Sequence, residues 1–179
     1  MIANNLQTTT MSFNRQRYAQ FDPKIWNKID FNETTDSYIV IHKKHGFYER
    51  EGNLRIARRL VLLGYSVELL ENIENEKSFD AYMNGESWEF KTTNGSKGSI
   101  QGRLRDGKEQ CDRILLVLPT EFTLLDVIRG IFSAITMDRQ EKISAVGLLF
   151  ETKFVRLSKQ EIIEKSLSEL EAFLENAIL

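Results

Sequence analysis

The sequence predicts an α/β fold built on a mixed sheet, and three observations carry that prediction. Short β-branched or alternating runs are interleaved with segments whose apolar residues recur at helical spacing. An Asn84-Gly85 dipeptide between two of the runs gives a tight hairpin and so an antiparallel meander. The continuous apolar run from Arg113 to Leu118, ending at Pro119, has the composition of a central strand buried on both faces. With 179 residues, 41% of them hydrophobic and only 2 Pro and 10 Gly, the chain can bury one compact core and is neither low-complexity nor collagen-like.

Taken in order, residues 1–36 are polar and aperiodic, and are expected to form an extended N-terminal arm with one helical turn around Lys24 to Lys28. Residues 37–179 then form a single α/β domain. Ser37 to His42 reads as a strand. From Glu49 to Leu63 the positions Leu54, Ile56, Ala57, Leu60, Val61 and Leu63 mark a helix that Gly64 ends. Tyr65 to Leu70, Phe79 to Met83 and Ser87 to Thr92 make the meander, with an acidic loop, Glu71 to Lys77, after its first strand. A polar helix over 98–110, the strand 113–118 and a helix over 124–137 follow, then a strand pair at 145–150 and 154–157. Ser158-Lys159-Gln160-Glu161 has capping-box form and opens a long amphipathic helix striped by Ile163, Leu167, Leu170 and Leu174. That stripe packs on the chain's own sheet or serves as a seam for self-association.

One Cys rules out an internal disulfide, and no Cys and His set has zinc-finger spacing. No apolar run approaches the length that spans a bilayer, and Met1 to Asn5 lacks the basic and apolar regions of a signal peptide, so no membrane partner and a cytoplasmic location are expected. The net charge of −2 makes no global case for a polyanion partner. Its distribution is uneven. Residues 41–60 carry six Lys or Arg against two Glu, 61–90 seven acids against Lys77, and 91–116 six Lys or Arg against three acids. This order suits a carboxylate site flanked by phosphate-contacting surface, although solvated charge gives the same blocks.

The informative segment runs from Phe79 to Lys91. On a strand, residues two apart share a face, so Glu89 and Lys91 stand together while Trp88 and Phe90 turn to apolar packing. Folding at Asn84-Gly85 puts Asp80 opposite Glu89, and two carboxylates and an ammonium converge. Close carboxylates repel unless a cation lies between them, and Mg²⁺ or Mn²⁺ suits oxygen ligands at Asp80 and Glu89. Such an ion polarises water beside a phosphate, and Lys91 stabilises the charge that builds on phosphorus. That is the logic of metal-dependent phosphodiester hydrolysis.

Asp80, eight intervening residues and then Glu89-Phe90-Lys91 resemble the Asp…Glu-x-Lys core of the PD-(D/E)XK nuclease superfamily. Within it, residues 38–118 are most similar to the toxin-type nuclease domains at the C-termini of contact-dependent growth inhibition proteins, which cleave tRNA. The similarity takes in Glu51 before Ala57 and Leu60, the Gly64-Tyr65-x-Val67 helix exit, and the passage through Gln110-Cys111-Asp112 into the strand from Ile114. Phe79 stands where the signature Pro would be. The resemblance implies a restriction-endonuclease-like core, a metal-dependent endonuclease activity and an immunity-protein partner. It places metal and water handling on a helix Glu, Asp80 and Glu89, and assistance on Lys91; the helix Glu is Glu51 by its distance from Ala57, with Glu49 as the alternative. RNA, specifically tRNA, is favoured over DNA.

Around this motif, Thr92, Thr93, Lys97, Arg103 and Arg105 are candidates for phosphate contact, and Gln101 and Gln110 for orienting substrate or water. Thr93, Lys97, Arg103 and Gln110 lead this substrate-binding set. His42 and His45, three apart, are a metal pair, a general acid/base of a metal-independent ribonuclease, or simply loop histidines. Cys111, beside Asp112 rather than a His, reads as a buried filler. The competing reading of the whole is an inactive fold that binds nucleic acid or protein, because an exposed Glu–Lys ion pair on a strand produces the same letters.

Overall fold

The structure, a computed structural model, describes residues 11–72 and 78–178. Its elements run helix α1 (Phe13–Gln20), strands β1 (Trp26–Asn32) and β2 (Ser37–His42), helix α2 (Phe47–Leu62), and strands β3 (Val67–Leu69), β4 (Ala81–Met83) and β5 (Glu86–Thr92). Helix α3 (Lys97–Gly107), strand β6 (Arg113–Val117), helix α4 (Leu124–Thr136), strands β7 (Ala145–Leu149) and β8 (Phe154–Ser158), and helices α5 (Lys159–Glu164) and α6 (Leu167–Ile178) complete it. The eight strands form one mixed sheet whose spatial order is their chain order. Helices α2, α3 and α4 make the crossovers of the three parallel pairs, β2 with β3, β5 with β6 and β6 with β7, and the other neighbours are antiparallel. The fold is therefore the mixed α/β class that the residue pattern predicts, with the meander β3–β4–β5 at its middle.

Period-two alternation sorts the strand residues between two cores. Ile39, Ile41, Val67, Leu69, Trp88 and Phe90 pack beneath Leu54, Ala57, Leu60 and Val61 of α2. On the other face Ile114, Leu116, Val146 and Leu148 meet Ile100 and Leu104 of α3, Val127, Ile128 and Ile131 of α4, and Leu170 and Leu174 of α6. β6 is buried from Ile114 onward between β5 and β7, as a doubly covered strand should be. The hairpin turn has φ of 48° at Asn84 and 83° at Gly85, the left-handed pair that Asn-Gly adopts at least cost.

Two expectations are corrected. Residues 13–32 are not an extended arm: they form α1 and β1, and β1 pairs with β2 as part of the sheet. A turn at 23–25 leads into β1 in place of the short helix expected there. α1 buries no residue fully; the Tyr18 ring rests against Phe31 and Tyr38, and polar links add to that contact. Arg17 Nε donates to the Tyr38 hydroxyl and to Glu68 Oε1, both at 2.8 Å, Ser12 Oγ donates to Asp36, and Asn14 Nδ2 donates to the Asp36 carbonyl at 2.6 Å. Residues 1–10 of the expected arm, and 73–77 of the expected acidic loop, lie outside the described residues.

The C-terminal segment is two helices rather than one. Lys165 is extended, with φ −92° and ψ 141°, and Ser166 starts a second capping arrangement. Its backbone N–H and Oγ donate to Glu169 Oε2 at 2.8 and 2.7 Å, and Glu169 N–H donates back to Ser166 Oγ. Two Ser-x-x-Glu boxes eight residues apart start two helices. Leu170 and Leu174 lie in the core against α4, so that half of the stripe packs on the chain's own body, whereas Ile163 and Leu167 are exposed. Among the described residues no helix is long and apolar enough to cross a membrane.

Candidate active site

The β4–β5 ladder pairs Ala81 with Trp88, Tyr82 with Ser87 and Met83 with Glu86, and one step further it brings Asp80 opposite Glu89. Asp80 lies at a bend just ahead of β4, where its carboxylate closes the end of the hairpin. Oδ2 accepts the Phe90 N–H at 2.7 Å and Oδ1 accepts Asn53 Nδ2, from α2, at 2.9 Å. Glu89 is only 3% exposed. The end of α3 covers it, and Gly107 permits that approach. A Cβ there would lie 2.9 Å from Ile114 Cγ1 and 3.6 Å from Glu89 Cγ, too close to the first of these for a side chain to fit undisturbed.

Lys91 Nζ lies 2.5 Å from Glu89 Oε1 and donates to Gln110 Oε1 at 3.1 Å, so the residue just beyond α3 steers the ammonium. Glu89 Oε2 is buried with no hydrogen-bond partner. Leaving such an oxygen bare is costly, and it marks a place where a proton or a cation is due. Burial first, and then the Asp80 charge, push the Glu89 carboxyl up to about 7, against the opposing pull of Lys91. Near neutral pH the Asp80–Glu89 pair therefore carries a proton for much of the time.

A cavity of about 80 Å³ opens on this pair. Among the described residues four carboxylates line it, from Glu49, Glu71, Asp80 and Glu89, with His45 and Gln110 at its wall. Among the described residues no set of three or more His, Cys, Asp or Glu is arranged to hold a metal ion. The donors present, two facing carboxylates with one bare buried oxygen, fit an ion that takes one or two carboxylates and keeps its waters, which is the habit of Mg²⁺.

Asp80, Glu89, Lys91 and Gln110 thus converge, while other sequence candidates stand apart. Glu49 and Glu51 are both exposed, but only Glu49, one helical half-turn earlier, lines the cavity. Glu49 lies four residues before Asn53 and seven before Ile56, both buried, so helical phase sets it, though exposed, on the flank that borders the cavity, and sets Glu51 away from it. Thr93 is buried and its hydroxyl is engaged with Ser99 Oγ at 2.9 Å and the Gly95 N–H at 3.2 Å, a loop-bracing role. Lys97 and Arg103 are exposed on α3, outside the cavity lining.

His42 and His45 do not form a pair. His42 sits 3.9 Å from Glu71 Oε2 with its ring edge-on to Trp26. His45 is buried, with Nδ1 2.5 Å from the Leu70 carbonyl and Nε2 3.3 Å from Asn53 Nδ2. Asn53 consequently links His45 to Asp80, a bridge that adjacent residue types do not reveal. Cys111 is buried, and burial pushes its thiol up, away from nucleophilic use.

Residues 77–150 match the family model of the contact-dependent growth inhibition CdiA C-terminal domain. The matched segment carries Asp80, Glu89, Lys91 and Gln110, and leaves Glu49 and Asn53 outside it. Among solved structures, the CdiA-CT/CdiI toxin and immunity complex from Burkholderia pseudomallei is similar at 14% identity and a TM-score of 0.43, over 65% of this chain and 91% of that one. No curated protein matches the chain.

Proposed function

We propose that this chain is a toxin-type nuclease of the PD-(D/E)XK kind that hydrolyses phosphodiester bonds with Mg²⁺ or Mn²⁺, with RNA, specifically tRNA, ahead of DNA. The observation that carries the reading is the buried Glu89, with one oxygen on Lys91 and the other bare, facing Asp80 across a hairpin. The order α2, β3–β4–β5, α3, β6 supports a restriction-endonuclease-like core, and the match of 77–150 to the growth-inhibition family supports a toxic role. An immunity protein that blocks the cavity belongs to the same proposal, as does action in the cytoplasm.

Asp80 and Glu89 would hold the metal, which supplies positive charge toward phosphate and a bound water of lowered pKa. Glu49 stands on the cavity wall, placed to accept a proton from the attacking water. Lys91, steered by Gln110, faces the charge that grows on the phosphoryl oxygens. Asn53 and the Phe90 N–H fix both oxygens of Asp80, so the ligand does not swing. The test is cleavage of total tRNA, single-stranded DNA and duplex DNA with Mg²⁺, Mn²⁺ or EDTA, comparing wild type with Asp80→Ala and Lys91→Ala. Metal-dependent cutting that each substitution lowers by about 100-fold or more is expected. Equal inertness of all three proteins would replace this reading with that of a binding scaffold.

A further inference from the structure

Phe47 and Tyr48 open α2 and are 84% and 97% exposed, more than any other large hydrophobic residue among those described. Their rings touch edge to face, with centroids 5.7 Å apart at 82°. Two adjacent aromatics left in water gain nothing for the fold. Their surroundings are specific: His45 precedes them and Glu49 follows them, and both line the cavity that holds Asp80 and Glu89. Exposed Lys43 and Lys44 lie just before, and half-buried Arg50 just after. None of these three cations has an ion-pair partner among the described residues.

We infer that Phe47 and Tyr48 are a stacking platform for unstacked nucleobases of a single-stranded RNA segment, set beside the cleavage cavity; the inference rests on the nuclease reading above. Aromatic faces take any base whose own stack is open, and Lys43, Lys44 and Arg50 meet the phosphates that run alongside. The cavity itself is lined by carboxylates and repels a polyanion, so affinity has to come from its rim. A protein partner would also bury the two rings, but the three cations bracketing them, without ion-pair partners among the described residues, complement a phosphate backbone. A duplex, with its bases occupied by each other, cannot use the platform.

The test separates binding from chemistry. Lys91→Ala protein is titrated in EDTA with a fluorescent single-stranded RNA and with the duplex of the same sequence. The measurement is repeated after adding Phe47→Ala with Tyr48→Ala, and after adding Phe47→Tyr with Tyr48→Phe. Affinity for the single strand should fall about tenfold per ring removed, return with the conservative pair, and leave duplex affinity unchanged. No binding of the single strand, an unchanged affinity, or an equal fall for the duplex overturns the platform, as does a requirement for the rings only in holding a protein partner. A loss of single-strand affinity in a wild-type chain that cuts nothing would sink the nuclease reading and leave the platform standing.

Discussion

Replacing Glu89 with Gln removes a titratable proton from the buried centre while keeping its shape. Burial and Asp80 move this carboxyl from its ordinary 4.5 to about 7. At about 1.4 kcal/mol for each tenfold change in proton affinity, the gap amounts to about 3 kcal/mol, an order-of-magnitude figure. The raised group binds its proton more tightly in the folded chain, so its stabilising effect is fully present below about pH 4.5 and is lost as pH rises through about 7. Urea unfolding in EDTA at stepped pH reads this directly. Wild type should lose about 3 kcal/mol more than Glu89→Gln between about pH 4 and pH 8, the variant being the more stable at the upper end. Lys91, with a fifth of its side chain already exposed, turns to water in the variant. Saturating Mg²⁺ at about pH 8 should return stability to wild type and not to the variant, because only the ionised pair gains from the ion. Parallel stability curves for the two proteins would refute the argument that Glu89 is the strained group.

Two further outcomes are expected. Glu49→Gln should lower tRNA cleavage by about 100-fold while Glu51→Gln leaves it unchanged, since only Glu49 lines the cavity; initial rates in Mg²⁺ decide, and the reverse ranking would restore Glu51. Arg17→Ala leaves buried Glu68 with Tyr38 as its remaining side-chain partner, and should cost about 2 kcal/mol by urea unfolding and open the α1 segment to limited proteolysis without altering cleavage.

Much of this architecture was legible because the informative residues are local. Asn84-Gly85 set the hairpin, the hairpin set the register, and the register faced Asp80 with Glu89. Strand β1 escaped detection for a physical reason: its pairing with β2 shifts between Lys28 and Asp30, and that bulge interrupts the alternation of Trp26, Ile29 and Phe31. Helix α1 has no apolar stripe to detect, since its anchors are Arg17, Asn14, its N-cap Ser12 and the single ring of Tyr18. The break between α5 and α6 was written in Ser166-x-x-Glu169, but the apolar stripe ran through it and masked the second start. At the site, helical phase favours Glu49 over Glu51, whereas spacing from Ala57 favours Glu51, and phase is the quantity that packing obeys. The link from His45 through Asn53 to Asp80 joins one helix to two loops distant in sequence, and no local pattern encodes it.

The irregular strand has a bearing on how copies of the chain meet. β1 and β8 are the two rims of the sheet, where unpaired backbone groups invite a neighbour to add a strand. At one rim the bulge bends the template and exposed Lys28 and Asp30 would have to shed water; at the other, a strand of five residues carries exposed Arg156 and passes at once into α5. Sheet-to-sheet polymerisation is opposed at both ends, so contacts between copies fall to helices and loops.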